Sequence, residues 1–238
     1  MDIELKQKQF NSAMELYENK GVYKLFGKFV AFVNISLQAF LLVRVLSLSI
    51  GWAWQLTAIA AAYLATDFIN GLVHLYMDKN DAYESAAGPL IANFHLHHKI
   101  PRYRDNNLAV MYFMETGSKV WLVPYLCAIV VLSYLSGFSP ILLYTLVYTG
   151  ILSSVAEVSH YLAHNSNSPA VGFLAFAGLL LPKRRHAKHH LEDNVSYTFL
   201  NGVTDPLVDM IARSYSAGYK NGTDLHYSKY ITRAVARS

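Results

Sequence analysis

The sequence predicts an all-α integral membrane protein with about four transmembrane helices plus interfacial helices, and three observations carry that prediction. Of its 238 residues, 53% are hydrophobic and only 15% charged, against about 25% charged in an ordinary soluble domain. The apolar residues fall in long runs, on the scale of the roughly 20 residues that a bilayer-crossing helix needs. The tight turns that join those runs, 51–54 and 136–140, carry no lysine or arginine. The same composition excludes a disordered chain and a free nucleic-acid-binding domain. The single cysteine, Cys127, excludes an intrachain disulfide.

Residues 1–25 form a segment ahead of the membrane region. Its mixed-charge opening, Asp2, Glu4, Lys6 and Lys8, is not the pattern of a cleavable signal peptide. The spans are expected at 26–50, 52–76, 119–135 and 139–164, inside a membrane-embedded domain covering 26–212. The stretch 170–181 follows Ser168-Pro169, is too short to cross, and reads as an interfacial or re-entrant helix. A weaker helical pattern at 203–212 follows Asp205-Pro206, and 213–238 reads as a polar, basic tail. Positive residues populate 1–28, 77–118 and everything after Pro182. With four spans these segments share one face, which the positive-inside rule makes cytoplasmic, together with both termini. A bacterial inner membrane and the endoplasmic reticulum fit equally. Arg44 is the exception, near the outer end of the first span, where a long side chain reaches the headgroups.

Ten histidines stand in this apolar chain. His74 precedes Asp78 by four residues, and His95, His97 and His98 crowd together. His160 and His164 are four apart, and His186, His189 and His190 form an HxxHH group. Nine of the ten fall at the cytoplasmic ends of predicted spans or just beyond them, and only His226 stands apart, as an ordinary packing residue. Spacings of three and four put side chains on one helix face. Asp67, Asn70 or Gly71, His74 and Asp78 therefore line one stripe, and Glu157, His160 and His164 another. A carboxylate inside a span is costly and faces the bundle interior. Asp67 and Glu157 are expected to point at the histidines and orient their rings, with Asn106 and Glu115 as further candidates for that task.

Three matching histidine groups on one face predict metal binding, because neutral imidazole is the commonest metal ligand. The donors suit zinc, copper, iron or nickel. They outnumber what one zinc takes, so a di-metal site is expected at the cytoplasmic face. No His-Glu-x-x-His motif is present, which argues against a zinc protease. A haem pair would need histidines facing one another inside the spans. Lys183-Arg184-Arg185 is a candidate contact for an anionic headgroup or an acidic electron donor. Tyr197 and Phe199 are candidate lining of a lipid groove.

The pattern His74-x3-Asp78, His97-His98 with Pro101 three residues on, His160-x3-His164 and His186-x2-His189-His190 resembles the Kua or CarF-type lipid desaturases. Phe94, Phe113-x-Glu115-Thr116 and Asn201-Gly202 extend the likeness, which spans residues 60–212. Leu75 and Tyr76-Met77 depart from the family pattern after the first histidine, as does His95. The resemblance implies a non-haem di-iron centre held by His74, His97, His98, His160, His164, His186, His189 and His190, with Asp78 as an acidic catalytic residue. It implies dioxygen as co-substrate, a phospholipid substrate taken from the membrane, and electrons from cytochrome b5 or a ferredoxin-like carrier. One branch of that family forms the vinyl ether of plasmalogens from a 1-O-alkyl (plasmanyl) ethanolamine phospholipid, and another desaturates acyl chains. An acyl-chain desaturase or a hydroxylase on a similar site is the alternative among enzymes. Outside enzymes the alternative is a metal- or haem-binding membrane protein.

Overall fold

The computed structural model describes residues 3–98, 106–192 and 194–215. Among them are ten helices and no strand. The expected tail from 216 onward, with His226, and Pro101 lie outside the described residues.

Three helices are long and apolar enough to cross a membrane: α2 (Gly21–Leu46), α3 (Trp52–Lys79) and α7 (Pro140–Asn165). Their outward faces carry Phe29, Phe32, Val43, Trp52 and Leu64, all more than half exposed. Their inward faces bury Asn34, Gln38, Thr66, Asp67, Asn70 and Ser153. In water such an exposed apolar surface would drive association. In lipid it is matched, and the buried polar groups find partners inside the bundle. The protein is membrane-embedded.

The expected fourth span at 119–135 is not one continuous long helix. Its helix, α6 (Leu122–Leu132), has 11 residues, about 16 Å of rise against a hydrocarbon core of roughly 30 Å. The preceding residues turn instead of continuing the helix. Gly117 lies so close to α2 that a Cβ there would come within 2.4 Å of the Gly27 carbonyl. Lys119, two residues on, is carried into the bundle interior. A shorter helix, α5 (Leu108–Thr116), packs ahead of this turn against α2 and α7.

At the end where the turns lie, α2, α3, α6 and α7 enclose an apolar core of Leu41, Val45, Ala58, Leu122, Leu126, Ile129, Leu143, Tyr144 and Val147. Arg44 reaches not outward but across, donating to the Ser133 carbonyl and lying 5.1 Å from the Tyr134 ring centroid. At the opposite end α1 (Ile3–Asn19) docks on α4 (Gly88–Leu96) through Phe10, Ala13, Met14, Tyr83, Ile91 and Ala92. The short helix α8 (Pro169–Phe176) buries none of its residues. It leads into α9 (Lys183–Leu191), which carries HxxHH. The helical pattern expected at 203–212 is α10 (Asp205–Tyr215), packed on α3.

Candidate metal centre

The histidines arrive on four supports: the end of α3, the end of α4, the end of α7, and α9. They converge into two groups. His97, His160, His164, His186 and His190 form one, and His74, Asp78, His98 and His189 the other; within each, the ligand atoms lie within 4.8 Å of one another. Every histidine predicted as a ligand, together with Asp78, falls in one group or the other. His97 and His98 are adjacent in sequence yet divided between the groups, with ring centroids 4.3 Å apart.

In the five-histidine group the Nε2 atoms face each other. His186 Nε2 is 2.9 Å from that of His160, 2.7 Å from that of His164 and 3.0 Å from that of His190. Nitrogen lone pairs converging this closely repel unless a proton or a cation lies among them. In the second group Asp78 is central, with Oδ1 3.0 Å from His98 Nε2 and 3.6 Å from His74 Nε2, and Oδ2 3.3 Å from His189 Nε2.

Three of the outward-facing ring nitrogens are tied to backbone. His74 Nδ1 lies 2.8 Å from the Tyr197 carbonyl, His97 Nδ1 2.5 Å from the Phe94 carbonyl, and His189 Nδ1 3.0 Å from the Val195 carbonyl. A carbonyl can only accept, so each of these Nδ1 atoms carries the proton and Nε2 presents its lone pair inward. The buried Nε2 atoms of His74 and His97 have no hydrogen-bond partner. Burial, reinforced by the neighbouring imidazoles, holds His186 and His190 well below the usual histidine range. Burial also outweighs Asp78 in lowering His98, and brings His97 down to about 4. Neutral imidazole is the form that binds metal. The donor set, its protonation and its inward lone pairs fit two cations.

The segment 194–204 is the scaffold of this end. Asn194 and Ser196 have positive φ, 55° and 57°, so two non-glycine residues sit in the sparsely populated left-handed region. Three carboxylates hold the segment. Asp67 Oδ1 accepts from the amides of Asn201 and Gly202, and Oδ2 from the amide and hydroxyl of Thr204. Asp205 accepts from the amide and hydroxyl of Thr198, and Asp209 from the Ser196 amide. Gly71 lets the segment approach α3, since a Cβ there would meet Thr198 Cγ2 at 2.6 Å.

Several expected roles change. Asp67 does not touch a histidine; it acts one step removed, through the segment that supplies the carbonyls. Tyr197 and Phe199 pack among the imidazoles. They are buried, and both pack edge-on against the His74 ring, with centroids 6.0 and 5.5 Å away. Arg185 is engaged with the Gly202 carbonyl and Asp205. Asn106 meets Tyr161 through its backbone. His95 stays out of both groups, its Nδ1 2.7 Å from the Tyr83 hydroxyl and its Nε2 2.8 Å from the Met77 carbonyl. Glu157 does approach a histidine, with Oε2 3.7 Å from His160 Nδ1. The residue missed from sequence is Lys119, whose Nζ lies 2.8 Å from the other Glu157 oxygen. Its one signal was a charge at the edge of an otherwise apolar run.

A family model described as a lipid desaturase domain matches residues 63–214, a stretch that begins just before Asp67 and ends in α10. No curated protein and no solved structure matches.

Proposed function

The chain belongs to the lipid desaturase domain family, the Kua/CarF-type desaturases, and has a lipid desaturase-type function; from that premise we propose that it is a di-iron, O2-dependent plasmanyl-lipid desaturase. In this reading it converts a 1-O-alkyl ethanolamine phospholipid to the vinyl-ether plasmalogen. The observation that carries the metal assignment is the pair of ligand groups, five histidines beside three histidines and Asp78.

A saturated C–H bond gives acids and bases no purchase, so two bound irons would supply the oxidising power. The balance is simple: two hydrogens leave adjacent carbons of the alkyl chain, two electrons come from cytochrome b5 or a ferredoxin-like carrier, and one O2 with two further protons becomes two waters. The chain's own residues set the conditions. His97, His160, His164, His186 and His190 hold one iron, and His74, His98, His189 and Asp78 the other. The Tyr197, Phe94 and Val195 carbonyls fix the ring tautomers. Phe199 and Tyr197 pack over the imidazoles and exclude water. The charge-free turns at one end and the basic segments at the other support a multi-pass arrangement with both termini and the histidines cytoplasmic. A lipid chain then enters from the bilayer while the soluble electron carrier docks outside.

Lipid mass spectrometry tests this directly. The chain is expressed in cells without a plasmalogen desaturase and fed an alkylglycerol. The expected product is an ether phospholipid lighter by two hydrogens that releases a fatty aldehyde in acid. Loss of two hydrogens from acyl lipids alone would assign the acyl branch instead, and gain of one oxygen would mean hydroxylation.

A further inference from the structure

Beneath the five-histidine group, between α3 and α7, lies an ion pair with no place in the assignment so far. Lys119 is 3% exposed and Glu157 is 9% exposed. Lys119 Nζ lies 2.8 Å from Glu157 Oε1 and donates to Asn70 Oδ1 at 2.6 Å. It also sits 4.8 Å from the Phe199 ring centroid. Asn70 is itself fixed by donating to the Thr66 carbonyl and the Ser153 hydroxyl. The other Glu157 oxygen faces His160 Nδ1 at 3.7 Å, while His160 Nε2 points into the group of five.

We propose that Lys119 is a positioning residue for the five-histidine metal site, acting through Glu157 on His160. This rests on the reading that the two groups bind metal. A buried charge is tolerated only when paired and hydrogen-bonded, and both conditions are met here by residues from three separate segments. The lysine anchors one carboxylate oxygen and so fixes the direction of the other. The two groups thereby differ in kind. In one, the carboxylate of Asp78 stands among the donor atoms and meets three imidazoles. In the other every donor is a neutral imidazole, and the carboxylate stands behind one ring with its charge offset by Lys119. Such an outer partner is worth about 10–100-fold in metal affinity, and Lys119 governs its geometry and charge.

The test uses the full chain, purified in detergent, stripped with chelator and titrated with Co2+ while the visible d–d bands are followed. Wild type takes up two Co2+. In Lys119→Met one of the two sites weakens about tenfold or more with altered bands, and the other keeps its affinity. The weakened site is the one that remains in a His98→Ala background. Lys119→Arg restores most of the affinity. In a Glu157→Gln background, Lys119→Met adds nothing further, because its partner is already gone. If Lys119→Met does not fold, Lys119→Arg and the charge-neutral Lys119→Met/Glu157→Gln chain decide the matter. They support the proposal when the first binds nearly as wild type and the second matches Glu157→Gln. Unchanged Co2+ binding in Lys119→Met overturns the proposal. So does an effect that persists undiminished without Glu157, which would mean action through Asn70 or Phe199. A wild-type chain that takes up no Co2+ overturns the metal reading itself, a result distinct from either.

Discussion

The two ends of the bundle are built on opposite principles. At the turn end, Leu41, Leu122, Leu126, Ile129 and Val147 interlock with almost no polar atom among them. At the histidine end, α3 and α7 bury Asp67, Asn70, His74, Asp78, Ser153, Glu157, Ser159 and His160, alongside Lys119 from the turn before α6. The first end is held by shape and volume, which many apolar sequences satisfy. The second is held by partners that must each be the right donor or acceptor, because an unsatisfied polar group in a low-dielectric interior is costly. Stability at one end is therefore a property of packing, and at the other a property of an unbroken hydrogen-bonded set.

Substitutions can break that contrast at graded strengths. The largest effect is expected for His160→Ala or Asp78→Ala, each removing a donor from one group. Desaturation should fall by at least about a hundredfold, while the thermal unfolding midpoint of the metal-stripped chain moves far less than activity does. At the turn end, Leu126→Ala should cost about 2–5 kcal/mol of stability through the cavity it leaves. Metal content per folded molecule should stay at the wild-type value, measured by elemental analysis after size-exclusion chromatography. Asp67→Asn is expected to cost about 3 kcal/mol, since a neutral amide cannot replace both carboxylate oxygens toward Asn201, Gly202 and Thr204. Hydrogen exchange at residues 195–204 should rise in that variant and not in Leu126→Ala.

Glu115 offers a finer probe. Burial, with Glu157 adding to it, raises this carboxyl from 4.5 to about 8. The folded chain thus binds a proton that the unfolded chain has released between those values. The contribution of Glu115 to stability should therefore fall as pH rises from 5 to 8, by up to about 1.4 kcal/mol per pH unit. The lowered histidines impose the opposite slope below about pH 6.5. Glu115→Gln should remove the Glu115 contribution, so the stability difference between wild type and variant in detergent melts should shrink steadily as pH rises from 5 to 8. The smallest effect is expected for Leu41→Met in the apolar core, under about 1.5 kcal/mol. A larger loss there would mean that the turn end also depends on specific fit.

Much of this contrast is legible in the sequence, and unevenly so. Long apolar runs mark α2, α3 and α7, because a membrane helix must be apolar over its whole lipid-facing length. The eight clustered histidines and Asp78 stand out because such side chains are rare in an apolar chain and recur here at fixed helical spacing. The break before α6 is not legible: hydropathy runs on from Val120 through Leu135, while the turn is set by the approach of Gly117 to Gly27 across the bundle. Nor are the carbonyls of Phe94, Val195 and Tyr197, since every residue has one and only the fold chooses which meets an imidazole. Asp67 is recognisable as a buried carboxylate, but its partners are amides more than 130 positions away. Lys119 looks like the flank of a span until its pairing with Glu157 is seen.

The segment 194–204 also dictates a timetable. His74 is made early and lies on the second long helix, yet its ring is oriented by the carbonyl of Tyr197. Asp67, made before it, waits for Asn201, Gly202 and Thr204. A nascent chain can therefore insert all its long apolar helices and still lack a finished centre. Completion comes only when the last described stretch, with α10 and its Asp205 and Asp209, folds back onto α3. Alignment of the histidines in this way waits on residues 194–209, and a chain cut short before residue 205 would be a membrane protein with its histidines unaligned.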